Sequence, residues 1–246
     1  MRHQLEVCIA SLEGALAAER GGADRIELNA ALSLDGLTPS AGMLSCVRAA
    51  VRVPIIVMIR PRPGEFTYGE PELNVMEEDI RRLAVEGAAG FAVGPLTATG
   101  EVDVAALERL RRAAGGRAIV FHRAFDVVRD RSRAMDALID AGVGRVLTSG
   151  GARCAVEGVS ELANLIEKSA GRIEVLPGGG ITPGNAAEIL RLTGCTQVHG
   201  SFRSGGVARE SGSGSASGVA FAPQEAECDE RVVRAVRGAI DAVVSS

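Results

Sequence analysis

The sequence predicts a (β/α)8 TIM barrel, an α/β fold in which residues 1–246 form a single domain. Three observations point there. A glycine-led unit recurs four times, at Gly22 (GADRIELN), Gly87 (GAAGFAVG), Gly142 (GVGRVLTS) and Gly194 (GCTQVHGS). In these units Ile26/Leu28, Phe91/Val93, Val146/Thr148 and Val198/Gly200 share one parity. Arg25/Glu27/Asn29, Gly90/Ala92/Gly94, Arg145/Leu147/Ser149 and Gln197/His199/Ser201 share the other. Successive side chains of a strand point to opposite faces, so each unit has a mostly apolar outer face and a polar or small inner one. Each unit also follows a helical stretch, the alternation of a parallel sheet wrapped in helices. Finally, 246 residues suit one such barrel with little to spare.

Taken in order, the first strand is LEVCIA (5–10), with Glu6, Cys8 and Ala10 inward, and Ser11 caps a helix that runs to Gly21. After the second strand, Thr38-Pro39 reads as cap and first position of the next helix. The third strand, IIVMIR, turns Ile56, Met58 and Arg60 to one face and opens into a long loop, PRPGEFTYGEPE. Loops of that length above a barrel are usually functional or mobile. A helix over 73–86, the strand 91–93, a helix over 102–114 and the strand AIVFH ending at His122 follow. Then come RVLTS, a helix over 156–169, the strand IEVLP and GGGITPGN, where Thr182-Pro183 repeats the helix-start signal. QVH is the eighth strand. From about 204 to 227 Ser, Gly and Ala dominate without periodicity, which predicts a flexible loop rather than a second domain. Val233, Val236, Ile240 and Val243 mark the closing helix.

Apolar residues make up 46% and aromatics 3%, so Val, Leu, Ile and Ala must fill the core. A net charge of −4 argues against nucleic acid as a partner. Five cysteines without paired spacing read as reduced thiols, Met1 leads straight into a strand, and no apolar run approaches the roughly 20 residues of a membrane span. A cytoplasmic protein that does not bind membranes is expected. Lys168, the only lysine, lies on a helix, which excludes a Schiff-base aldolase.

Barrel chemistry takes place at the C-terminal ends of the strands. Glu6, Arg25, Glu27 and Arg60 point inward from three neighbouring strands, either as a paired network filling the lumen or as a carboxylate base, Glu27, among arginines that hold an anion. His122 and Asp126 flank a strand-to-helix turn, where an Asp–His hydrogen bond would orient the imidazole. Glu27, His122, Asp126 and His199 are the candidate catalytic groups. Asn29, Arg60, Arg62, Arg123, Ser149, Gly179, Gly180 and Ser201 are the candidates for binding a small anionic substrate, with the glycines and Gly200-Ser201 placed where many barrels hold phosphate. For a metal, Cys8 is the one cysteine facing the interior, and no CxxC or Met-rich motif is present.

The motifs LEVC, GGADRIEL, GLTPS, MIRPR, FHRAFD, VLTSG and the VHGS ending, in order from about residue 5 to 203, resemble the CutC copper homeostasis family. The resemblance implies a TIM barrel, dimeric or larger, in the cytoplasm, with copper as ligand. Members proposed to bind copper use a cysteine in the first strand and another in the second-strand motif ELC. Cys8 fills the first place, but this chain reads Glu27-Leu28-Asn29 at the second. Copper handling, or acid–base catalysis by Glu27 and His122 on a small anionic, phosphorylated or sugar-like substrate, are the two functions to be separated.

Overall fold

A computed structural model describes residues 2–204 and 226–243; the Ser/Gly-rich stretch expected to be flexible lies, from 205 to 225, outside the described residues. The strands are β1 (Gln4–Ile9), β2 (Arg25–Leu28), β3 (Ile55–Met58), β4 (Gly90–Val93), β5 (Ala118–Phe121), β6 (Arg145–Thr148), β7 (Glu174–Pro177) and β8 (Gln197–Gly200). The helices are α1 (Leu12–Gly21), α2 (Ala41–Ala50), α3 (Glu70–Val85), α4 (Val104–Ala113), α5 (Arg131–Asp140), α6 (Val159–Ser169), α7 (Ala186–Thr193) and α8 (Glu230–Asp241). All pairings are parallel, in the order β7-β6-β5-β4-β3-β2-β1-β8, and a Gly178–His199 bridge joins the two ends. No described helix is long and apolar enough to cross a membrane.

The alternation read from the sequence holds. Ile26, Leu28, Phe91, Val93, Val146 and Val198 join the large core between strands and helices. A separate lumen cluster consists of Ile56, Met58, Ala92, Val120, Leu147 and Leu176. Ser11 caps α1, its Oγ accepting from Gly14 N at 2.9 Å, and Gly22 ends the helix at φ 96°. α8 packs against α1, where a Cβ on Gly21 would collide with Val233.

Two expected helix starts move. α2 is capped by Ser40, whose Oγ accepts from Met43 N, while Thr38 Oγ1 instead accepts from Arg60 N at 2.9 Å. α7 follows Asn185 rather than Thr182. A residue before proline is pushed to extended backbone, so both threonines stay outside their helices. α3 begins three residues earlier than expected, because Pro71 sits in its first turn and Glu72 reaches back to Gly69 N at 2.9 Å. α5, which the sequence left without bounds, is capped by Asp130.

Candidate active site

The strand ends surround a cavity of about 620 Å³. Its floor is built by β1, β2 and β8. The parallel register sets Glu6 opposite both Arg25 and His199, and Cys8 opposite Glu27, so these inward side chains meet in the lumen. Arg25 pairs with Glu6 and donates to Gln197 Oε1 at 3.1 Å. Glu6 Oε1 lies 2.8 Å from His199 Nδ1, which turns Nε2 toward Glu27 Oε2, 3.9 Å away. Asn29 Nδ2 donates to Glu27 Oε2 at 3.0 Å and to Cys8 Sγ at 3.2 Å. Glu27 is 2% exposed, and its Oε1 has no hydrogen-bond partner.

Electrostatics separates the two carboxylates. Burial pushes Glu6 up, but Arg25 and His199 outweigh it and hold Glu6 at about 2. Burial likewise pushes Glu27 up, and here His199 and Asn29 do not cancel it, so Glu27 stays above the ordinary carboxylate range. Burial pulls His199 down, yet Glu27 and Glu6 together carry it above the usual imidazole value. Cys8 is pushed well up by burial and by neighbouring Glu27, which keeps the thiol protonated. Glu6 is thus a fixed anion, whereas Glu27 and His199 are both shifted upward, toward their protonated forms.

His122 approaches the cavity from the end of β5. The expected bond to Asp126 does not form. Ala124 N donates to His122 Nδ1 at 3.1 Å, so the ring proton sits on Nε2, which is buried and without a partner. Burial and the charge of Arg60 push this imidazole down to about 3. It packs near Phe66, ring centroids 5.1 Å apart, and a Cβ on Gly94 would collide with it.

Asp126 serves the rim instead. It accepts from Thr148 Oγ1 at 2.5 Å, from Ser149 N and Gly151 N at 3.0 Å each, and from Arg123 Nε at 2.8 Å. Ser149 Oγ accepts from Arg123 Nη2 at 2.9 Å, leaving Nη1 beside Gly179. Gly179 and Gly180 have φ of 95° and 70°, a left-handed run that glycine adopts freely, and their N–H groups find no acceptor among the described residues.

Of the candidates named from sequence, Cys8, Glu27, Asn29, Arg60, His122, Arg123, Asp126, Gly179, Gly180, His199 and Ser201 line this cavity. Arg62 and Ser149 do not. Arg62 turns to Glu72 and to the carbonyls of Glu65 and Thr67, bracing its own loop. Arg60 lines the cavity and spends its two terminal nitrogens on the carbonyls of Leu34, Gly36 and Gly64, clasping two loops together, while its buried Nε has no partner. Phe66 and Arg203 were missed. Arg203 follows β8 by three residues, past the reach of strand periodicity, although an arginine just beyond a strand end was itself a signal. Phe202, at φ 46°, and Asp35, at φ 65°, also border the cavity in backbone conformations that disfavour side chains.

Cys8, Glu27 and His199 each offer a ligand atom within 4.8 Å of the others, and this group could hold a metal ion.

The sequence profile described as the CutC family matches residues 3–204. The chain belongs to the CutC family. It is similar to the copper homeostasis protein cutC homolog of Homo sapiens, 47% identical over 200 residues, covering 81% of this chain and 73% of that one. The family protein CutC of Chromobacterium violaceum is 42% identical over 244 residues, covering 96% and 98%. The crystal structure of Streptococcus agalactiae CutC superposes with a TM-score of 0.78 at 33% identity, covering 81% of this chain and 98% of that one. This member of the CutC family is therefore a TIM barrel whose curated relatives include proteins named for copper homeostasis.

Proposed function

We propose that this CutC barrel is an enzyme performing acid–base chemistry on a small anionic, phosphorylated or sugar-like substrate. The observation that carries it is a set of buried polar atoms without partners, Glu27 Oε1, His122 Nε2 and Arg60 Nε, on residues that line one cavity. A buried polar atom left unpaired costs roughly 1–3 kcal/mol, which a ligand presenting complementary atoms would recover. Glu27 is the proton carrier, since its carboxylate lines the cavity with one oxygen left without a partner, and burial raises it above an ordinary carboxylate. Arg123, Arg203 and the N–H groups of Gly179 and Gly180 hold the anion, while Asp126 and Ser149 aim Arg123. Titration calorimetry with inorganic phosphate tests this. Binding is expected to weaken at least tenfold in Arg123→Ala and to survive in Arg62→Ala. No binding at millimolar phosphate, or equal losses in both variants, would remove the reading.

A second reading is metal handling, in line with the relatives' printed names, and the Cys8–Glu27–His199 group favours it. Copper(I) prefers soft sulfur. Here a single thiol faces the group, and Asn29 presents an amide N–H to that sulfur where the family resemblance expects a second cysteine. The residues therefore do not build a two-sulfur copper(I) centre; the mixed sulfur, nitrogen and oxygen set suits a borderline divalent ion better. Stoichiometric copper(I) uptake that disappears in Cys8→Ala would restore copper. Five free cysteines support a cytoplasmic setting, and the family resemblance supports a homo-oligomer.

A further inference from the structure

We infer that the reaction is abstraction of a proton next to a carbonyl, with Glu27 as base and the Nε2–H of His122 receiving the developing oxyanion, on an α-hydroxycarbonyl compound that also carries a phosphate. The inference rests on the anion-binding reading above and adds to it the reacting group.

It begins with the imidazole. His122 Nδ1 is committed to the Ala124 N–H, so its free nitrogen can only donate. The ring has no lone pair to offer as a base, and its 3% exposure denies Nε2–H a water-filled alternative. Across the mouth the position is reversed. Glu27 Oε1 is a buried oxygen with no donor of its own. β2 and β5 lie three strands apart in the ring, and both residues line the one cavity. A substrate between them meets a hydrogen-bond donor on one side and a proton acceptor on the other. That is the arrangement for drawing charge from a carbon acid onto an oxygen. A hydrolase would require a nucleophile or an activated water beside the donor. Cys8, the thiol that lines the cavity, lies on β1 beside Glu27 and is kept protonated there.

The step balances without another reactant. The Glu27 carboxylate takes the proton from the α-carbon, and the C–H electron pair becomes the new C–C π bond. The carbonyl π pair moves onto oxygen, where the His122 Nε2–H stabilises it. Returning the proton from Glu27 to the former carbonyl carbon, while the substrate's own hydroxyl proton passes to the former carbonyl oxygen and the hydroxyl oxygen becomes the new carbonyl, completes an isomerisation; returning it to the same carbon completes an exchange. A neutral imidazole is the better partner, because its N–H keeps its proton while an imidazolium would surrender it to the oxyanion. Gly94 has a role here too. Any side chain at that position would push the ring from its place.

The test uses 2-phosphoglycolate, whose planar carboxylate stands in for an enediolate, against inorganic phosphate. Wild-type protein is expected to bind 2-phosphoglycolate at least tenfold more tightly than phosphate. Nitrogen-15 NMR should show His122 as the neutral Nε2–H form from pH 5 to 9, its N–H signal moving with 2-phosphoglycolate and not with phosphate. His122→Phe should bring 2-phosphoglycolate affinity down to that of phosphate. Phosphate bound while 2-phosphoglycolate binds no tighter, or a His122 ring protonated on Nδ1, overturns this inference alone. Failure of both anions to bind overturns it together with the anion-binding reading. The NMR and wild-type binding arms do not depend on the variant folding.

Discussion

The lumen has two unlike halves. From β3 round to β7 it is filled by Ile56, Met58, Ala92, Val120, Leu147 and Leu176, with no charge among them. Across β1, β2 and β8 the same depth holds Glu6, Arg25, Glu27, Gln197 and His199, all nearly buried. Both halves fill space, but only the second must satisfy every charge it encloses. It does so in an order that leaves one oxygen over. Arg25 neutralises Glu6, Glu6 holds His199, and His199 only partly compensates Glu27. The apolar half is a plug, and the charged half is a gradient ending at the cavity.

Breaking each half should give different signatures. Arg25→Met leaves Glu6 buried with only His199 opposite it and is expected to cost about 3–5 kcal/mol. Adding Glu6→Leu should return much of that loss, because removing both charges also removes the uncompensated one. Leu176→Ala should cost about 2–5 kcal/mol as a cavity, with no rescue available from a neighbouring charge. Urea denaturation of the three variants checks this, and equal behaviour of the halves would contradict it.

The alternation in the four glycine-led units was enough to place Glu27 and His199 in the lumen, since a strand's period of two cannot drift over four residues. That certainty ends where the strands end. Arg62 and Ser149 lie two to four residues beyond or at a strand terminus, and their directions are set by what the loops offer: Glu72 for one, Asp126 for the other. Asp126 shows the same limit. Its spacing from His122 suggested a pair, but five donors converge on it from β6 and Arg123, while the nearer Ala124 N–H takes the imidazole. The charge ladder of Glu6, His199 and Glu27 depends on the register between β1 and β8, strands at opposite ends of the chain, and no local pattern encodes it.

Acid sharpens the contrast. Folded His122 sits at about 3 against an ordinary value of 6.5. The unfolded chain therefore binds this proton first, and folding loses stability as pH falls from 6.5 toward 3, by about 5 kcal/mol in full. Glu6 acts lower. Its contribution is present above the ordinary 4.5 and fades as pH falls toward 2. His122→Gln should flatten the loss between pH 6 and 4 and leave the steeper fall below 4 intact. Thermal melts across that range would refute the assignment if the two proteins ran parallel.

The smallest expected change in stability tests the composition of the floor most directly. Asn29 presents an N–H to both Cys8 and Glu27, which makes the sulfur an acceptor of a hydrogen bond rather than half of a metal pair. Asn29→Cys removes those bonds at a cost of about 1–3 kcal/mol, since Glu27 Oε2 loses a donor. It also puts a second thiol beside Cys8. If the amide is what keeps copper(I) from a two-sulfur centre, this variant should gain stoichiometric copper(I) binding that the parent lacks, and Cys8→Ala should remove it again. Parent and variant taking up copper(I) equally would mean that the ion enters through other ligands and that residue 29 does not decide it.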